Sequence, residues 1–467
     1  GTLRFDGILP ATLTNAGTLN AFNLTVNKTT TSLTTGSSFT VNGALTVQAD
    51  STFNATAGSV TFAGVGVGNI VNTSTAAAPQ LTFFGLIVNK SAGVNVDTTA
   101  NFSVAGGYTN TLGNLNCTAG TVTYIGGAAT HAVNGGSVQY NNLTITKTAA
   151  TLTHNTATGF TIQGNYSCTS GTFDATNGVV TFAGGSNSTL ESTGTLTSFY
   201  SLTLNQAAGV DLTSTTSWSF KANYTNTSGD LICSAGTVTW AGTIAGSLSI
   251  NGGTAQFNNF TLNSGGGFTL NHNAGSFDII GNYTRTLGIY TSTGGNTLTM
   301  SGTVAATLAA TSSTFNNLTI NKAAAVNVSN ATTFTVSGVF TVTGSTTFNS
   351  TAGTISIAWN FALAGAATYN QTGGTTTFNG TVAATITDSS TGTITFFGFN
   401  TNKTLAGVAV STSADLQVNS TRTNTTGDFT ATGGTVTFGL GAAVSHTITR
   451  GTVRSNNFTV ATTAGTL

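Results

Sequence analysis

Residues 338–358 read GVFTVTGSTTFNSTAGTISIA, and residues 360–380 read NFALAGAATYNQTGGTTTFNG. Phe340 maps onto Phe361, Phe348 onto Tyr369 and Gly353 onto Gly374, every pair at the same offset. Both copies alternate apolar with small polar residues over short runs broken by Gly, Ser and Asn, the pattern of β-strands joined by turns. A tandem copy of about 20 residues that leaves the flanking pattern in phase marks one coil of a stack, because each coil touches only its neighbours. A closed ring does not accept such an insertion, and this disfavours the alternative reading of an eight-bladed β-propeller.

Outward from this stretch, two longer motifs recur. The first is aromatic-x-x-Leu/Phe-x-apolar-x-Lys, as in Phe83-Phe84-Gly85-Leu86-Ile87-Val88-Asn89-Lys90, Tyr140-Asn141-Asn142-Leu143-Thr144-Ile145-Thr146-Lys147 and Phe315-Asn316-Asn317-Leu318-Thr319-Ile320-Asn321-Lys322. Looser copies centre on Leu24, Leu202, Phe260, Phe399 and Phe458, and the spacings from Leu24 onward are 62, 57, 59, 58, 58, 81 and 59. The second motif is Gly-Thr-Val-Thr-aromatic, as in Gly120-Thr121-Val122-Thr123-Tyr124 and Gly236-Thr237-Val238-Thr239-Trp240. It recurs at nearly the same spacing, except for the one short step between the tandem copies. These spacings predict an all-β, right-handed parallel β-helix (β-solenoid) with coils of about 19–21 residues and a super-repeat of about 58, three coils to the repeat. Residues 1–467 are expected to form a single continuous solenoid with no separate capping domain.

Composition narrows the function classes. The 467 residues carry 11 Lys plus Arg and 11 Asp plus Glu, for a formal net charge of zero. At 5% charged residues, against about 25% in ordinary domains, the chain lacks the basic patch that nucleic acid requires. With 39% hydrophobic residues it is not ordinarily disordered. The least polar stretch, Ile355 to Ala367, is shorter than the roughly 20 residues of a membrane-spanning helix.

The two motifs and their Thr/Asn/Gly/Ser composition resemble extracellular parallel β-solenoid repeat proteins of bacterial cell surfaces, including filamentous-haemagglutinin-like adhesins and surface fibre or sheath proteins. The resemblance spans the whole chain and carries no catalytic motif. It implies an extracellular or cell-surface location and a structural role as a subunit or segment of a filament, sheath or surface layer. Such a protein would associate with itself end to end or laterally, through solenoid ends and neutral Thr-rich faces. The alternative role is an adhesin stalk that binds glycans or a host surface.

Alternation along a strand places Val and the aromatic of the second motif on one face and the threonines on the other. Phe62, Tyr124, Phe182, Trp240, Met300, Ile357, Phe378 and Phe438 are therefore expected as an inward ladder, with exposed sugar-binding platforms as the other reading. Lys28, Lys90, Lys147, Lys322 and Lys403 share one slot, filled by Gln206 and Ser264 in other copies. They are expected as edge charges, about 14 Å apart, that keep neighbouring stacks from pairing sideways. A row of contacts to an acidic polymer or a neighbouring protomer is the functional alternative. His131, His154, His272 and His446 share no slot and have no zinc spacing, which suggests isolated surface or turn positions. Cys117, Cys168 and Cys233 are expected to be packed in the coils and too far apart to bridge within the chain. Only 11 carboxylates are present. Asp211 and Asp230 are one pair that adjacent coils could bring together, but no catalytic, metal or cofactor site is assigned and the chain reads as non-enzymatic. The Asn-x-Ser/Thr triplets at Asn142, Asn259, Asn317 and Asn457 follow from composition and strand chemistry. With three coils to the repeat, the clearest Thr-x-Thr triplets are expected only on every third coil, which argues against a surface that matches an ice lattice.

Overall fold

A computed structural model describes residues 1–77, 79–439 and 445–461. Among these residues every regular element is a β-strand, paired in parallel. No helix is long and apolar enough to cross a membrane. The fold is a parallel β-solenoid of about 21 turns, with equivalent positions about 22 residues apart. It is neither a barrel nor a propeller. The chain forms two compact units, Gly1–Cys233 and Ser234–Leu467.

In the first unit each turn contributes three short strands, each stacked on its counterpart in the turn before. Thr2–Gly7 pairs with Asn23–Lys28, which pairs with Ala44–Val47. Ala11–Leu13 pairs with Ser32–Thr35, and Asn20–Ala21 with Phe39–Val41. Strands such as Asn23–Lys28 and Ser32–Thr35 alternate buried with half-buried positions, so Leu24, Val26, Leu33 and Thr35 point inward and Thr25 and Thr34 outward. A row of aromatic rings fills the interior, with Phe39, Phe53, Phe83 and Phe102 at successive centroid distances of 6.3, 6.0 and 5.6 Å. Edge-to-tilted ring contacts of this kind hold one coil to the next.

The second unit is built in the same way. The tandem copies lie directly on one another. Phe340 pairs with Phe361, Phe348 with Tyr369 and Ile357 with Phe378. One tandem copy is therefore one complete turn.

The 58-residue repeat, however, is not three turns. It spans eight strands, or two and two-thirds turns. Each copy of the first motif consequently lies on a different face from the last. In the first unit Asn23–Lys28, Gly85–Lys90 and the start of Asn142–His154 lie in three different stacks of strands, and Ser201–Asn205 returns to the stack of Asn23–Lys28 eight turns later. In the second unit Asn259–Asn263, Asn317–Lys322 and Gly398–Asn402 again occupy three different stacks. Asn457–Val460 returns to the stack of Asn259–Asn263 after nine turns, one of them the tandem copy. The expected division of the repeat into three shorter coils is thus corrected to coils of about 22 residues. A strand that alternates apolar with Thr satisfies any of the three walls equally, so the sequence period need not equal the turn.

The stepping also changes the outer surface. In the second unit Asn271, Thr291, Thr314, Thr335, Ser356, Thr377, Asn400, Thr423 and Thr447 pair rung upon rung on consecutive turns. One outward hydroxyl or amide side chain thus stands on each of these turns, whereas Thr-x-Thr triplets occur on only some of them, as at Thr375–Thr377 and Thr421–Thr423.

Candidate functional site

The two motifs are stacking partners. Beneath each of these first-motif strands lies a Gly-Thr-Val-Thr-aromatic strand. Val60 and Phe62 pair with Leu86 and Val88, Val122 and Tyr124 with Leu143 and Ile145, and Leu298 and Met300 with Leu318 and Ile320. Phe62, Tyr124, Phe182, Trp240, Met300, Ile357, Phe378 and Phe438 are all buried.

Both ends of the first-motif strand are stapled to adjacent turns. At its start, Asn142 donates Nδ2–H to the Gly120 carbonyl below (3.2 Å) and accepts the Asn165 N–H above (2.8 Å). Asn259 does the same with Gly236 and Asn282, and Asn317 with Gly295 and Val339. These carboxamides add side-chain bonds to the turns on both sides of a corner, and at Asn142 the Gly120 carbonyl accepts the backbone N–H as well.

At its end lies the lysine. The five lysines are only 0–6% exposed, so the edge-charge reading is corrected: each turns inward. Lys90 Nζ donates to the carbonyls of Ala63 (2.5 Å) and Asn42 (2.6 Å). Lys147 reaches Ile125 (2.7 Å) and Ala105 (3.3 Å), and Lys403 reaches Asn379 (2.6 Å) and Ala358 (2.9 Å). Lys322 bonds the carbonyls of Ser301 and Ile280, and Lys28 that of Asp6 (2.9 Å). In the four full examples one acceptor lies one turn down and the other two turns down, so one ammonium ties three turns together. The nearer acceptor always precedes a glycine of positive φ, namely Gly7, Gly64, Gly126, Gly302 or Gly380. That conformation, open to glycine at little cost, turns the preceding carbonyl off the ladder and leaves it in need of a donor. The distribution over three faces also removes the expected single row of lysines.

Burial pushes the ammonium groups of Lys147, Lys322 and Lys403 down to about 8 and lowers that of Lys90. No carboxylate contributes to these shifts. Charge-assisted bonds to carbonyls offset the desolvation.

The two exceptions are each compensated locally. Gln206 donates Nε2–H to Ser188 Oγ (2.6 Å), and Ser188 occupies the position that Gly68 holds against Lys90. At Ser264 the larger ring of Trp240 fills the space: a Cβ on Gly288 would lie 2.8 Å from Ser264 Cβ and 3.4 Å from the Trp240 ring.

Directly above the lysine strand is a third recurrent strand, which sequence reasoning missed. It reads Tyr-Thr-Asn-Thr-Leu-Gly at Tyr108–Gly113, with counterparts beginning at Tyr166, Tyr224, Tyr283, Phe340 and Arg422. Where one residue more precedes the closing glycine, the register shifts by a bulge. The Phe340 copy, one residue shorter, runs straight through to Gly344 opposite Lys322. A recurring Tyr-Thr or Tyr-Ser closed by Gly in four of the six copies was the available signal.

The expectation of isolated surface or turn histidines is corrected for three of the four: His131, His154 and His272 are fully buried, while His446 is half-buried. His131 and His154 stack on adjacent rungs, with their Nδ1 atoms 3.0 Å apart. His154 Nδ1–H faces the His131 carbonyl (3.1 Å), which leaves His131 Nε2–H to donate to Tyr140 Oη (2.7 Å); Tyr140 in turn meets Tyr124 Oη (3.0 Å). Burial lowers the pKa of both histidines and of His272, the last to about 4.

The cysteines are free and buried, and burial raises the Cys233 thiol to about 12. Asp211 and Asp230 do lie on adjacent outward rungs, opposite each other in register. Among the described residues no three His, Cys, Asp or Glu side chains converge as a metal site would require.

Compared with protein-family models, curated proteins and solved structures, the chain matches none of them.

Proposed function

We propose that this chain is a structural segment of an extracellular filament, sheath or surface layer. One observation carries the reading. Because the repeat advances two and two-thirds turns, its copies are spread over all three faces, and in the second unit stacked outward rungs such as Ser356, Thr377 and Asn400, or Gln417 and Thr437, are neutral hydroxyl and amide side chains. The charges that do recur are spent inside, on stapling turns. Neutral hydroxyl and amide rungs about 4.8 Å apart favour lateral association of like surfaces, since no net charge opposes contact.

The test is negative-stain electron microscopy of the purified chain across a concentration series. Filaments or sheets that grow with concentration support the proposal; particles that stay single at every concentration contradict it. The adhesin reading rests on the same outward rungs, which suit a neutral glycan. Glycan-array binding by the single particle, without assembly, would favour it instead.

A further inference from the structure

Arg422 stands where the other copies of the third strand place Tyr108, Tyr166, Tyr224, Tyr283 or Phe340. Its side chain is 1% exposed. The guanidinium carbon lies 5.2 Å from the centre of the Phe399 ring and 4.6 Å from that of Phe429. Those ring faces attract the cation but supply no hydrogen-bond acceptor in its plane.

Neither Nη1 nor Nη2 of Arg422 has a hydrogen-bond partner among the described residues. This is the reverse of the lysine staples, where backbone carbonyls receive each buried ammonium. Its neighbours carry unpaired atoms of their own, acceptors among them. Thr401 Oγ1 on the strand below, Asn424 Oδ1 two residues along and His446 Nε2 on the strand above are also buried without partners among the described residues. Register places Phe399, Arg422 and His446 on successive rungs, with Thr401 opposite Asn424. Among the described residues no carboxylate acts on the guanidinium. Burial alone lowers it to about 10, so it stays charged at neutral pH, and its charge helps to hold the neighbouring imidazole neutral. A buried charge with free donors and no counter-charge is costly unless an anion completes it.

We propose that Arg422 forms an internal anion site in the second unit, taking a small monovalent anion of halide or carboxylate chemistry. The two Nη edges donate to the anion, the Thr401 hydroxyl adds a third donor, and Phe399 and Phe429 limit its size. Guanidinium geometry suits two-point binding of a carboxylate and accepts a halide between the same two edges. The site is independent of the structural role proposed above.

The test is thermal unfolding of the full chain in chloride and in formate titrations, with ionic strength held constant by a bulky organic sulfonate. Wild type should gain about 5 °C or more over a hundredfold rise in the bound anion. Arg422→Tyr, which installs the residue used by other copies, should show no such rise. Thr401→Val, which leaves the guanidinium in place, should weaken the response several-fold. A larger response to chloride identifies a halide site, and a larger response to formate identifies a carboxylate site. A wild type that responds to neither anion overturns the proposal. So does an Arg422→Tyr variant that gains as much as wild type, since the effect would then be general to salt.

Discussion

Lys147 Nζ donates to the Ile125 carbonyl at 2.7 Å, and Ile125 is the residue before Gly126, whose φ is +76°. The same pairing of a buried lysine with a left-handed glycine one turn below recurs at Lys28, Lys90, Lys322 and Lys403. The two residues solve one problem together: glycine turns a carbonyl inward at the corner, and lysine satisfies it.

Removing the donor should therefore cost more than removing an ordinary surface charge. Lys322→Met keeps the stem but orphans two carbonyls, each worth about 1–3 kcal/mol. A loss of about 2–4 kcal/mol is expected in denaturant unfolding. Lys221, half-buried and paired with Asp174, is the control. Lys221→Met should cost about 1 kcal/mol or less.

Alkaline pH should stabilise the fold over a limited window. The folded pKa of Lys147, Lys322 and Lys403 is depressed to about 8 from 10.5, so the unfolded chain holds more protons between these values. Stability then rises as pH increases from about 8. The buried tyrosines act oppositely. Tyr108, Tyr140, Tyr166 and Tyr290 have folded pKa values raised well above 10.0, so stability falls once the unfolded chain ionises them. The melting temperature is expected to peak near pH 9–10, which a pH series of thermal melts checks.

At the acid end the histidines decide. His131, His154 and His272 have depressed folded pKa values, the last at about 4 against 6.5. The unfolded state takes up protons first, so stability is lost as pH falls from 6.5 toward 4. His272→Gln should flatten part of that loss when melts are compared at pH 7 and pH 5.

A whole turn should be removable. Deleting residues 338–358 joins Ser337 to Trp359 and takes out one complete turn, with one rung lost from each face. The product should retain a β-type circular dichroism spectrum and cooperative melting. Deleting only residues 340–358 leaves the joined strands out of register and should give a non-cooperative or aggregating product.

Much of this architecture was legible in the sequence. Alternating Thr and Val specified strands, and the tandem copies around Phe340 and Phe361 specified a coil. The number of turns per repeat was harder, because a linear spacing does not state how many strands close a turn. The tandem copy contained the answer, since the long repeat is not a multiple of its length. The lysines were misplaced because a charge reads as exposed by default. Their acceptors come from corners one and two turns away, and no pattern within a single repeat displays that. The glycine closing the preceding strand, at Gly64 for Lys90 and Gly126 for Lys147, was the signal available. The His131–His154 stack stayed hidden for the same reason, since their separation is one turn only when the turn is about 22 residues long.

The most direct test of the stapled-coil account is amine labelling of the native chain, read residue by residue by mass spectrometry. The account predicts that Lys90, Lys147, Lys322 and Lys403 resist modification until the chain is unfolded, while the half-buried Lys221 is modified in the native protein. Labelling of those four lysines in the native protein at the rate of Lys221 would place them nearer the surface and contradict the account.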